Sequence, residues 1–322
     1  MSQTKHRTDW MSAGKFGMMV HWIAPGPAPE KGEWVSDLNE AVDRFDLDRF
    51  TAQFAATGAD WLIFTIGQNS GYYAGPNATL DELAGPGHCS RRHLVLELAQ
   101  RVSQLGKRFV GYLPAEVNGQ SEAIHRAFAW DPADQSEFQR RYCAFVRDYA
   151  VKFGALLHGW WFDGCYTWPV FPNSLYDWPA WCAAARAGNP EAVLAFNDGS
   201  FCIGITEPLT PLQDYLSGET EVLREGQIRL GRDENAPLYL PEARFVPGTE
   251  CQWHSLLFID AFWGHAQPGP MEPLLYSDDE LFSFVRSCRS VGGAVTLNVG
   301  IYQEGHIGRD AEAQLQRLAA RL

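Results

Sequence analysis

Eight short apolar runs recur along the chain: FGMMVHW (16–22), WLIFTIG (61–67), RFVGYLP (108–114), GWWFDG (159–164), VLAFNDGS (193–200), LQDYLSGE (212–219), ECQWHS (250–255) and AVTLNVG (294–300). They are nearly continuous rather than strictly alternating, the pattern expected of strands in a parallel sheet covered on both faces. Between them lie longer stretches whose apolar positions repeat every three to four residues. LDRFTAQFAATG closes on Gly58 and RHLVLELAQRVSQLGK on Gly106. DQSEFQRRYCAFVRDYAVKFG runs from Asp134 to Gly154, SDDELFSFVRSCRSVGG from Ser277 to Gly292, and DAEAQLQRLAARL closes the sequence. A polar cap at the start and glycine at the end mark these as helices. Eight strands alternating with helices predict an α/β fold, a (β/α)8 barrel formed as one domain over residues 1–322. The stretch 201–250 departs from the rhythm, with a missing or short helix, and REGQIRLGRDENAPLYLPEARF reads as an ordered excursion. A doubly wound open sheet is the alternative, but no GxGxxG follows the first strand.

In a parallel barrel the chemistry gathers at the C-terminal strand ends. There the sequence offers His21-Trp22 on the first strand, Gln68-Asn69-Ser70-Gly71-Tyr72 after the second, and Tyr112, Glu116 and Asn118 on and after the third. It offers Asp163 on the fourth, Asn197-Asp198 on the fifth, Asp214 and Glu219 on the sixth, Glu250 and His254 on the seventh, and Asn298 on the eighth. Each has a purely structural reading: His21 as a hydrogen-bonded core histidine, Asn197 and Asn298 as loop anchors, Asp198 as a turn cap. Asp163 has the weakest one, because a carboxylate between Phe162 and Gly164 needs partners once buried, and functional sites tolerate that cost. Six tryptophans (Trp22, Trp34, Trp161, Trp168, Trp253, Trp263) lie beside strand ends. Their faces suit stacking on a sugar ring as well as core filling.

Charge narrows the partners. A net charge of −13 disfavours nucleic acid and anionic membrane surfaces. No apolar run approaches membrane-spanning length and no secretory leader is evident, so a cytoplasmic protein is expected. The seven scattered cysteines lack a CxxC pair and read as free thiols. The nine histidines never pair at ligand spacing, no GxSxG supplies a serine nucleophile, and no lysine sits at a strand end. No metal or other cofactor is therefore expected. Carboxylates, amides and aromatics remain, an inventory that fits glycoside hydrolysis by two differently tuned acids.

Taken in order, KFGMMVHW, GEWVS, GADWLIFTIGQNSGYY, VGYLPAEVN, GWWFDG, FNDGS, DYLSGE and SVGGAVTLNVGIYQEGHIG resemble blocks of the retaining α-L-fucosidases of glycoside hydrolase family 29. The resemblance is colinear from about residue 10 to 322. It implies a (β/α)8 catalytic barrel and a double displacement, with Asp163 at the nucleophile position and Glu219 at the acid/base position. Glu250 and Glu207 are held in reserve for the second role. It also implies sugar contacts from His21 and Trp34 and an aromatic wall from Trp161. Gln68, Asn69, Tyr72, Tyr112, Glu116, Asn197, Glu250 and Trp263 complete the candidate substrate-binding set. Family members carry a His-His pair after strand two and Asn-Asp-Arg after strand five. Here the chain reads Gln68-Asn69-Ser70 and Asn197-Asp198-Gly199, which leaves a non-fucose specificity open. The usual C-terminal β-sandwich is not expected, and barrel surface it would cover could meet a second copy in a homo-oligomer. The expected activity is a retaining exo-glycosidase acting on a small carbohydrate or glycoside. The alternative is a sugar-binding barrel of the same fold without hydrolysis.

Overall fold

Residues of the predicted strands divide, by odd and even position, between two cores. The computed structural model describes residues 5–165, 176–199 and 203–322; Trp168 and Cys202 lie outside them. Eight strands form the main sheet: β1 (Gly17–Val20), β2 (Trp61–Thr65), β3 (Arg108–Pro114), β4 (Leu157–Asp163), β5 (Val193–Phe196), β6 (Glu219–Thr220), β7 (His254–Phe258) and β8 (Ala294–Asn298). They follow the order β5-β4-β3-β2-β1-β8-β7-β6, and every pairing is parallel. The two edges, β5 and β6, meet through the segment before β6, where Asp214 N donates to Leu194 O at 2.9 Å. The (β/α)8 barrel is thus closed by main-chain hydrogen bonds rather than by a regular ladder.

One set of strand residues points inward. Met19, Ile63, Val110, Val193, Ala195, Leu256 and Ala294 pack with Trp61, Tyr112 and Trp161 into a buried plug, and Trp61 Nε1 donates to Thr296 Oγ1 at 2.8 Å. The alternate set, including Met18, Leu62, Phe109, Trp160 and Phe162, packs against the helices. These include Leu47–Thr57, Leu94–Gln104, Ser136–Phe153, Asp278–Ser290 and Arg309–Arg321. Asp46 and Ser277 cap two of them by accepting from Arg49 N and Glu280 N, and Gly58 ends the first in the left-handed conformation. None of the described helices is long and apolar enough to cross a membrane.

Strands six and seven differ from the sequence-based expectation. The predicted 212–219 run contributes only its last residue to β6, and β7 begins at His254, where the predicted 250–255 run was ending. The excursion in 201–250 carries a small antiparallel sheet of Leu223–Arg224, Gln227–Arg229 and Leu238–Tyr239.

Candidate active site

The two-residue period of a strand explains why Asp163 ends an apolar run. On β4, Trp160 and Phe162 face the helices and stack with centroids 5.4 Å apart. Trp161 faces the barrel axis, and Asp163 repeats its direction at the top of the strand. The same phase brings in His21 above Met19, Tyr112 above Val110, Asn197 above Ala195 and Asn298 above Thr296.

Four donors converge on the Asp163 carboxylate. Tyr112 OH lies 2.6 Å and Gln68 Nε2 3.3 Å from Oδ2; Gly164 N lies 2.8 Å and Asn197 Nδ2 3.0 Å from Oδ1. Asn197 is held in place because its own N–H donates to Phe162 O and its carbonyl accepts from Cys165 N, both at 2.8 Å. Tyr112 is braced by stacking on Trp161 at 5.1 Å, whose Nε1 is taken up by Ser217 O.

Glu219 opens β6 and faces the same space. The Asn197 amide that reaches Asp163 also donates to Glu219 Oε2. An NH2 group carries two hydrogens, one for each acid. The two facing oxygens are therefore separated by no more than two hydrogen bonds, roughly 6 Å. Burial, followed by the negative charge of Asp163, pushes the Glu219 carboxyl up to about 8, against the opposing pull of the Asn197 bond. The backbone before Glu219 must be glycine: Gly218 has φ +69°, and a Cβ there would lie 2.2 Å from His254 O.

Both acids line a cavity of about 610 Å³ with His21, Trp34, Gln68, Ser70, Trp161 and Trp263. His21 is buried, and burial holds its imidazole below the ordinary histidine range. Asn298 Nδ2 donates to Trp263 O, so Asn298 Oδ1 is free to accept from His21 Nδ1 at 2.8 Å. That leaves His21 Nε2 as the imidazole's acceptor. Trp263 has φ +52°, a conformation costly for an aromatic residue and one that clusters at functional sites. Its ring packs edge-on to His21 and Phe258.

The remaining sequence candidates divide. Glu116 lies behind the cavity: a Cβ on Gly164 would touch its Cγ at 2.6 Å. Burial, then the Asp163 charge, pushes it up to about 7, while Asn69 and the Asn118 and Gly119 N–H groups bond it. Asn69 thus serves Glu116 rather than lining the cavity. Tyr72 stacks on His88 with centroids 5.8 Å apart and is not among the lining residues. Glu250 is misplaced by the sequence reading. It precedes β7 and is exposed at the opposite, N-terminal end of the barrel, in a hollow shared with Arg186 and Asp214. Asp214 belongs to that end too, paired with Arg186 at 2.5 Å. His254 is fully bonded inside the barrel, to Leu216 O and Thr296 Oγ1. Glu207 is exposed and does not line the cavity. Trp22 and Trp253 are core residues. Ser70, offered by the sequence with Gln68 and Asn69, does line the cavity, whereas sequence reasoning missed Phe262, His265 and the strip Pro25–Pro27. The aromatic pair in FIDAFWGH after the apolar LLFI was the available signal for Phe262. Among the described residues no group of three or more His, Cys, Asp or Glu is placed to hold a metal.

Fold and site together define a parallel α/β barrel with two carboxyl groups bridged by one amide at the C-terminal mouth. No protein-family model matches the chain, and no curated protein does. Solved structures share the fold. The endo-fucoidan hydrolase MfFcnA4 of glycoside hydrolase family 107 aligns at TM-score 0.66 and 15% identity, over 98% of this chain and 53% of its own. This chain therefore spans about half the length of that protein. Alpha-L-fucosidase isoenzyme 1 from Paenibacillus thiaminolyticus aligns at TM-score 0.66 and 18% identity, over 98% of this chain and 75% of its own. The alpha-L-fucosidase AlfC from Lactobacillus casei, solved with α-L-fucose product, aligns at 0.59 and 16%, over 98% and 97%.

Proposed function

We propose that the protein is a glycoside hydrolase, a divergent relative of the family 29 α-L-fucosidases that cleaves a terminal sugar with retention of configuration. The observation that carries this reading is the Asn197 amide shared by Asp163 and Glu219. It brings one oxygen of each acid within about 6 Å of the other, which is compatible with the ~5–5.5 Å carboxyl separation of retaining enzymes. The fold shared with fucosidases and fucoidan hydrolases supports the substrate class.

In this mechanism Asp163, whose oxygens are aligned by four donors, attacks the anomeric carbon as the glycosidic C–O bond breaks. Glu219 enters protonated because burial and the Asp163 charge disfavour its ionised form, and it gives its proton to the departing oxygen. Water then gives a proton to Glu219 and attacks the anomeric carbon, releasing the Asp163 carboxylate and restoring both groups. His21 Nε2 and the Gln68 amide are positioned to meet sugar hydroxyls, and Trp161 forms an apolar wall.

The test uses a 4-nitrophenyl α-L-fucoside. Asp163→Ala is expected to lose turnover by at least about 10³-fold while keeping the wild-type melting temperature. Glu219→Ala is expected to recover activity with added azide, giving the glycosyl azide of retained configuration. Near-wild-type turnover by Asp163→Ala overturns the nucleophile assignment. An inverted azide product overturns the role of Glu219.

A further inference from the structure

The cavity has two chemically unlike halves. Its polar side chains are Asp163, Glu219, Gln68 and His21 with Ser70 and His265, and Gln68 bonds Asp163 directly. The remaining wall is built largely from the apolar strip Ile23–Pro27, Trp34, Phe262 and Ala266. Trp34 and Phe262 are 47% and 65% exposed, although large apolar side chains at a mouth cost free energy unless something covers them. Trp34 has no donor to spare for a hydroxyl, because its Nε1 bonds Gly26 O at 3.1 Å. A second sugar ring seated there would present several hydroxyls to a wall on which, among the described residues, Ser70 and His265 are the polar side chains outside the carboxyl cluster. Most of those hydroxyls would lose their water without a replacement, which is costly. An alkyl or aryl group would lose only water. Charge adds a second constraint. Among the described residues the cavity is lined by two acids and by no lysine or arginine, and residues 1–4, 166–175 and 200–202 contain neither residue type. Recognition of a sulfate or carboxylate relies on such cations.

We propose that the site takes an uncharged glycoside whose leaving group is apolar, and that Trp34 and Phe262 select that group. This rests on the glycosidase reading, and it sets this chain's preference apart from a charged polysaccharide. The test is binding of methyl, butyl and octyl 1-thio-α-L-fucosides by calorimetry, ligands that share one sugar and differ only in apolar length. Affinity is expected to rise by up to about fourfold per methylene buried, so that butyl binds at least about tenfold more tightly than methyl. In the Trp34→Ala and Phe262→Ala variants the butyl-to-methyl ratio should fall below about threefold. That ratio does not move with a general loss of sugar affinity. A wild-type ratio near one, a ratio unchanged in both variants, no measurable binding of the octyl compound, or tighter binding of a sulfated fucoside than of its neutral parent would each overturn the proposal. The glycosidase reading is scored separately, by hydrolysis of α-L-fucosyl fluoride, whose small leaving group never enters the apolar half. Failure there overturns the hydrolase and leaves the binding ratio readable.

Discussion

Replacing Asn197 by alanine removes one amide and two hydrogen bonds, one to each acid. A hydrogen bond to a charged group contributes about 1.5–3 kcal/mol. Losing the one that orients Asp163 should therefore lower kcat/KM by roughly 10- to 150-fold, at about 1.36 kcal/mol per decade. The direction of the accompanying pH shift is more diagnostic than the rate. In the wild type, activity should fall as pH rises through about 8, because Glu219 must hold a proton to serve as the acid. The Asn197 bond favours the ionised form of Glu219 and so pulls in the acidic direction, while burial and Asp163 push the other way. Without the amide, only the upward influences remain. The alkaline limb of Asn197→Ala should therefore move to higher pH even as the maximum rate drops. The assay is kcat/KM for an alkyl α-L-fucoside, whose poor leaving group needs the proton, across pH from about 4 to 10. A limb that stays in place or moves down, or a rate within threefold of wild type, would refute the bridging role. A structural loss alone would lower the rate without raising the limb.

Glu116 should make the folded protein less stable as pH rises. Its carboxyl is pushed up to about 7 from an ordinary value near 4.5, so between those values the unfolded chain ionises while the folded one keeps its proton. The resulting penalty grows over that interval to roughly 3 kcal/mol and then levels off. Glu219 and Asp260, raised by burial to about 8 and about 7, add slopes of the same sign. Glu116→Gln should therefore reduce the slope by about 1.4 kcal/mol per pH unit between about 4.5 and 7 rather than abolish it. Urea unfolding at several pH values measures it, and an unchanged slope would mean that Glu116 does not contribute. Gly218→Ala should cost at least about 2 kcal/mol, since the new Cβ meets a backbone carbonyl and the residue sits at positive φ. It should also displace Glu219, so loss of activity and a lowered melting temperature are expected together; a fully active, equally stable variant would contradict the geometry.

Much of this site was legible because a strand reports its own geometry. Wherever an apolar run was placed in the right register, the polar residue at its end had to point along the barrel axis or back toward the helices, and the period of two decides which. That is why His21, Asp163, Asn197 and Asn298 fall at the mouth, while Trp22, one residue out of phase with His21, packs into the core. The same rule exposes the failure at β6 and β7. There the polar residues lie inside the strands rather than beyond them. His254 is bonded on both ring nitrogens, and the Ser255 and Thr220 hydroxyls bond each other at 3.0 Å. A polar residue satisfied within the barrel looks, in sequence, like the end of a strand. Reading it so shifted the seventh run toward its N-terminus and carried Glu250 to the site on paper, when the chain keeps it at the far end. Glu219 survived the same misreading of β6, because the predicted run ended where the true strand begins. What no local pattern could supply is the pairing itself: Asn197 and Glu219 come from the two strands that share no ladder, so the bond that defines the site spans the seam where the barrel closes.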